Sequence, residues 1–195
     1  MDGYYDHHPL LQLDRPVALY GLLSDETRAV GYRASSLCGL RFADTTRLLE
    51  HRKGQSADAL EVREGAPALR AEEATSLREA LADRPFGVIT LGQATLLDAA
   101  SLELVRARTT LVALDLDLPS LFWRVRARQE QAARGEGAPL PAELAEVTRI
   151  EELRAYHEPR SRALDAAQHR IPARGRSVEQ LARALSDWLL DRAAN

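Results

Sequence analysis

Five short apolar runs, separated by helical patterns, constrain the fold of this chain more than any other feature. They are Pro16–Tyr20, Leu40–Ala43, Gly87–Gly92, Thr110–Leu114 and a weaker run over His169–Ile171. Runs this short, apolar at nearly every position instead of every second one, fit strands buried on both faces. Between them the spacing predicts helices. One covers Asp25–Leu37, with Val30, Ala34 and Leu37 on a stripe. Three more centre on Leu48–Leu49, Ala59–Leu60 and Leu69–Leu81, and another covers Leu96–Arg106. A further helix starts near Pro119, whose fixed φ and missing donor suit a first turn, and runs to Ala133. Gly135, Gly137, Pro139 and Pro141 then mark a loop. Two helical segments follow it, and a final helix from Ser177 carries Leu181, Leu185, Trp188 and Leu189 along one stripe. Strands alternating with helices in this way predict an α/β fold of three layers, a five-stranded parallel sheet flanked by helices. The expected organisation is a polar tail over 1–14 and one domain over 15–195.

Charge and cysteine content narrow the function classes. The net charge of -3 offers no global field for nucleic acid, and the arginines alternate with Glu and Asp as on solvated helix faces. No apolar run reaches membrane-spanning length, and Met1–Leu13 lacks a signal-peptide profile. The single cysteine, Cys38, suits a reducing compartment and reads as a small core residue, so a cytoplasmic location is expected. His7 and His8 lack the further ligands that a metal site needs, and no metal is expected there.

In open α/β sheets, ligands bind outside the carboxyl ends of the strands. The turns after Tyr20, Ala43, Leu91 and Leu114 are therefore the candidates. The first of these, Gly21 followed by Leu22, Leu23, Ser24, Asp25, Glu26, Thr27 and Arg28, stands between strand and helix, the place of a phosphate loop. Its composition argues against that role. Small residues and a lysine are missing, Ser24 is expected to cap the helix, and Asp25 and Glu26 bring negative charge to the helix start. At about 4 Å each like-charge contact costs on the order of 1–4 kcal/mol. A micromolar site is worth only about 8 kcal/mol.

Five elements in register resemble the shikimate kinase family: the strand at Val17, the turn at Gly21, Phe-x-Asp at Phe42–Asp44, Leu-Arg-x-x-Glu at Leu69–Glu73, and Val-Ile-x-x-Gly at Val88–Gly92. The resemblance runs from about Arg15 to Leu190 and implies a P-loop kinase fold of the nucleoside-monophosphate-kinase or shikimate-kinase type. By this match Thr27 falls on the loop lysine and Arg28 on the magnesium-binding hydroxyl. Thr46 falls on the aspartate that accepts the substrate's proton, Gly92-Gln93-Ala94 on a triple glycine, and Ala138 on a lid arginine. Asp44, Arg70, Gly92 and Arg160 are kept, and in the family such positions bind magnesium or hold shikimate. Arg124 overlies an adenine-stacking arginine. Plainer roles stand beside these. Asp44 caps the next helix, Arg70 pairs with Glu73 or a neighbour, and Arg124 and Arg160 lie on the surface. Gln93 has no evident role.

These departures lead to the expectation of a catalytically inactive relative that binds neither ATP nor magnesium and acts as a regulatory or scaffolding partner of another protein. Two alternatives stand beside it. One is a sensor of a small carboxylate, aromatic acid or acyl-CoA, reading it through Arg70 and Arg160. The other is an active ATP-dependent kinase with an unconventional phosphate loop, in which Arg28 replaces the lysine.

Overall fold

The structure, a computed structural model, describes residues 11, 13–82, 87–136 and 140–193. His7, His8 and Ala138 lie outside the described residues.

The five apolar runs form one parallel sheet in the order β2-β3-β1-β4-β5. The strands are β1 (Val17–Gly21), β2 (Phe42–Asp44), β3 (Val88–Thr90), β4 (Thr110–Asp115) and β5 (His169–Pro172). The register sets Val17 opposite both Val88 and Thr110. β1 is central and buried at every position, as its unbroken apolar run requires. The chain leaves β1 toward β2 and β3 on one side, then crosses to β4 and β5 on the other. The strand order therefore reverses at β1, and a crevice opens beyond its carboxyl end at Gly21.

Helices cover both faces: α1 (Ser24–Leu37), α2 (Thr45–Lys53), α3 (Ala57–Glu64), α4 (Ala66–Ala82), α5 (Ala99–Arg108), α6 (Leu118–Ala133), α7 (Ala142–Ala145), α8 (Arg154–Leu164) and α9 (Val178–Ala193). The main core joins Val30 and Ala34 of α1 and Leu181, Leu185 and Leu189 of α9 to the sheet. Cys38 is buried beside Ser186, the small core residue expected of it. A second apolar cluster of Leu49, Leu60, Leu69 and Ala94 ties α2, α3 and α4 together. Trp188 is half-buried and stacks on His169, ring centroids 4.9 Å apart.

Boundaries move where side chains compete for the backbone. The helix expected over Leu96–Arg106 splits into a 3-10 turn at Thr95–Leu97 and then α5. Asp98 causes the break, because its carboxylate accepts the Ser101 N–H at 2.8 Å and caps α5. Among the described residues no helix is long and apolar enough to cross a membrane.

Candidate active site

Two concave regions concern the amino end of α1: one reaches Ser24 there, and the other is walled by Arg124, which pairs with Glu26 of α1. One is a small cavity of about 40 Å³ enclosed by α2, α3, α4, α7 and α8. Ser24, Thr46, Glu73, Gln93, Tyr156 and Arg160 are among its walls. The other is an open cleft of about 470 Å³ between α6 and the turn after β5, lined by Trp123, Arg124, Arg174 and Arg176 among others.

The turn between β1 and α1 is shorter than a phosphate loop. α1 already starts at Ser24, so Asp25 to Arg28 are helical and not free to wrap a ligand. Gly21 is required by packing, because a Cβ there would meet Thr27 Oγ1 at 2.4 Å. The Thr27 hydroxyl is itself spent on the Leu23 carbonyl at 2.8 Å. An open glycine cradle is therefore not formed.

Two premises about this turn need correction. Ser24 does not cap α1: Leu23 is the capping residue, and no side chain accepts from the helix's first N–H groups. The first N–H groups of the helix are left without a side-chain cap, although Asp25 and Glu26 stand in its first turn. Nor are Asp25 and Glu26 fixed negative charges facing a ligand. Arg128 of α6 grips the Asp25 carboxylate with two bonds, of 2.7 and 2.6 Å. Arg124, one helical turn away, pairs with Glu26. Both pairs are mostly buried, which keeps them from being screened away. Arg124 is thus no idle surface residue; it also donates to the carbonyls of Ala173 and Arg176.

Asp44 takes the plainer of its two roles. One carboxylate oxygen accepts the Arg47 N–H at 2.9 Å as the cap of α2, and the other accepts the Thr90 hydroxyl at 3.1 Å. Burial raises its pKa above the usual carboxylate range, while hydrogen bonds and the positive charge of Arg28 pull the other way. With both oxygens engaged and a guanidinium at the position of the hydroxyl ligand, this pair does not fit magnesium. Among the described residues no group of three His, Cys, Asp or Glu side chains could hold a metal.

Of the two arginines matched to substrate binding, the structure brings one to the cavity. Arg160 is 7% exposed and not a surface residue. Its terminal nitrogens reach the Tyr156 carbonyl at 3.0 Å and Glu143 at 3.3 Å. Arg70 does not line the cavity, and its positive charge acts on Glu61 and Asp98 and not on Glu73. Glu73 instead accepts the Thr95 hydroxyl at 2.9 Å. Burial pushes the Glu73 pKa up to about 7. Gly92 stands behind this carboxyl, since a Cβ there would meet Glu73 Oε1 at 2.2 Å. Its N–H donates to Thr45 Oγ1 at 3.0 Å.

Sequence reasoning missed the residues that join the site together. Gln93 donates from its side chain to the Gly21 carbonyl at 3.3 Å, and its own carbonyl accepts the Tyr20 hydroxyl at 2.8 Å. The Tyr156 hydroxyl sits between the Leu22 carbonyl, 2.8 Å away, and the Gln93 side-chain oxygen. Asp58 and Glu61 of α3 also line the cavity. The available signals were spacings: Asp58 and Glu61 three apart, Arg124 and Arg128 four apart, Tyr156 and Arg160 four apart, each on one helix face.

A family model described as shikimate kinase matches residues 28–189. The chain belongs to the shikimate kinase family. It is 32% identical to shikimate kinase 2 of Sodalis glossinidius, over 71% of this chain and 79% of that one. It is 29% identical to the shikimate kinase of Chlorobium chlorochromatii, over 89% and 92% of the two chains. In fold it is similar to the shikimate kinase of Acinetobacter baumannii in complex with shikimate, with a TM-score of 0.71 at 19% identity over 93% of this chain and 97% of that one. A gluconokinase from Sinorhizobium meliloti shares the fold more loosely, with a TM-score of 0.56 at 16% identity over 93% and 94% of the chains. These relatives and neighbours all carry the names of small-molecule kinases. That finding overturns the expectation of an inactive scaffolding member of the family. Asp25 and Glu26, paired with Arg128 and Arg124, do not present the bare negative charge that their sequence positions suggested.

Proposed function

We propose that the protein is an ATP-dependent kinase of a small hydroxylated molecule, with arginines taking over the work of a glycine-rich loop and its lysine. The observation that carries this reading is the arrangement of the two concave regions. The open cleft has the size of a nucleotide site and combines an exposed aromatic face, Trp123, with the cations Arg174 and Arg176. The small cavity lies across the amino end of α1 and presents polar side chains to a hydroxylated acceptor.

Phosphoryl transfer needs positioning and charge neutralisation more than covalent chemistry from the protein. In this reading Trp123 stacks the base, and Arg174 and Arg176 neutralise the phosphates nearest the cleft. The amino end of α1, with Arg28 close enough to act on Asp44, supplies positive charge to the transferred group. The acceptor hydroxyl attacks the γ-phosphorus, the bond to the bridging oxygen breaks, and ADP leaves. The hydroxyl proton passes to a carboxylate of the cavity, with Asp58 and Glu61 in place to receive it. Burial raises the pKa of both carboxyls, which makes them better bases than a solvated carboxylate.

The test is ATP titration by calorimetry, together with an ADP-release assay over a panel of hydroxylated small molecules. Saturable ATP binding that Trp123→Ala and Arg174→Ala weaken, with ADP release on at least one acceptor, is the expected result. Absence of both binding and release would remove the reading.

A further inference from the structure

We propose that Gln93 is a positioning residue for the transfer step. Its carboxamide, together with the Tyr156 hydroxyl, holds the turn between β1 and α1 so that backbone N–H groups, not carbonyls, are presented to the transferred phosphate. This rests on the kinase reading above and deepens it at the same site.

Leu22 and Leu23 alone join β1 to α1. A connection this short turns either its carbonyls or its N–H groups toward a ligand, and only the N–H groups suit a phosphate. Three contacts decide between the two. Gln93 Nε2 donates to the Gly21 carbonyl at 3.3 Å, and the Tyr156 hydroxyl donates to the Leu22 carbonyl at 2.8 Å. The same hydroxyl also reaches Gln93 Oε1. Burial raises the pKa of the Tyr156 phenol above its ordinary value, so the hydroxyl stays a donor. In a trans peptide the N–H points opposite to the carbonyl of the same unit. With the Gly21 and Leu22 carbonyls turned toward Gln93 and Tyr156, the N–H groups of Leu22 and Leu23 turn away from them. In sequence these two donors run directly into the first N–H groups of α1, which have no side-chain cap.

The chemistry of the carboxamide fits this task. The Gly21 carbonyl can only accept, while the Tyr156 hydroxyl brings a proton. An amide offers a donor to the first and an acceptor to the second on one planar group. A carboxylate in its place would set a negative oxygen against the Gly21 carbonyl. The backbone of Gln93 is fixed as well, because its own carbonyl accepts the Tyr20 hydroxyl at 2.8 Å. Tyr20 is fully buried in β1 and immediately precedes Gly21, so the amide is anchored on the strand whose turn it orients.

The test compares the parent with Gln93→Met, which keeps the length and removes both polar atoms, and with Tyr156→Phe, which removes only the hydroxyl. ADP release is read at saturating ATP, ADP affinity by calorimetry, and the Leu22 and Leu23 amides by NMR on the full chain. Gln93→Met is expected to lower kcat about tenfold or more, as misplaced groups do. ADP lacks the transferred group and is expected to bind within about twofold of the parent. Tyr156→Phe should lower kcat about fivefold or more. The double variant should be little slower than the slower single one, because both changes act on one turn. The Leu22 and Leu23 amide signals are expected to shift in each variant. Undiminished kcat in Gln93→Met, loss of ADP affinity in step with kcat, or losses that multiply in the double variant would each overturn the proposal. If Gln93→Met does not fold, Tyr156→Phe decides by kcat and ADP affinity. A parent that releases no ADP on any acceptor removes the kinase reading instead. The amides then decide, since shifts at Leu22 and Leu23 support the orienting role of Gln93 and unchanged signals overturn it.

Discussion

Asp25 and Arg128 meet through two parallel N–H···O bonds, 2.7 and 2.6 Å long, across 103 positions of sequence. The carboxylate that looked like a barrier to phosphate is turned aside and neutralised by a helix from the other half of the chain. Removing the guanidinium, as in the shorter and neutral Arg128→Gln, leaves Asp25 partly buried and unpaired. Stability is expected to fall by on the order of 1–3 kcal/mol in urea denaturation. ATP affinity is expected to fall about tenfold, because an unpaired negative charge returns to the start of α1. Adding Asp25→Asn in the same chain should restore most of both losses. No recovery in the double variant would show that the pair does not act as a unit.

Trp123 separates binding from folding. Its side chain is 70% exposed, so Trp123→Ala is expected to change stability by less than about 0.5 kcal/mol. The same change should weaken ATP by about tenfold, as loss of an aromatic stacking face does. Calorimetry on a variant with unaltered melting temperature gives the comparison.

Gly92→Ala tests the close approach of the glycine to Glu73. The added methyl would stand 2.2 Å from Glu73 Oε1, too near to be accommodated without moving the buried carboxyl off Thr95. A loss of about 2–3 kcal/mol is expected from the clash and the broken bond. Shortening the partner in Gly92→Ala/Glu73→Ala should recover part of it. If the double variant is no more stable than the single one, the clash lies elsewhere.

Glu73 should give the fold a pH dependence of definite sign. Its folded pKa is raised to about 7 from the usual 4.5, so the folded state holds the proton more tightly than the unfolded chain. Stability from this group is complete below about pH 4.5 and is lost as pH rises through about 7, a change on the order of 3 kcal/mol. Glu73→Gln keeps the shape and an acceptor for Thr95 while removing the titration. Chemical denaturation from pH 5 to pH 8 should slope downward in the parent relative to the variant. Parallel curves would dispose of the assignment.

β1, β3 and β4 were legible because each is a short apolar run buried along nearly its whole length, and β1 and β4 were placed nearly to the residue. β5, with only Ile171 buried, was the weaker run. Asp44 as a cap could be read too, since Asp-Thr-Thr is a local signal. The start of α1 could not. Ser24 and Leu23 compete for one capping position, and the extended backbone of Leu23, with φ -132 and ψ 109, decides it through packing that no local pattern records. The sign of the site failed for a related reason. The charges at Asp25 and Glu26 were visible, but their partners stand on α6, 103 and 98 positions away. The role of Gln93 was hidden because its bonds go to Gly21 and Tyr156, which only the closed sheet brings within reach.

The Tyr156 hydroxyl has one proton and two carbonyl oxygens within reach, Leu22 beside the β1–α1 turn and Gln93 after β3. It pins α8 to the turns that follow β1 and β3. If α8 swings outward to admit a larger guest, the pin is drawn and Leu22 loses its partner at the same moment. Opening the small chamber would then also loosen the turn that leads into α1.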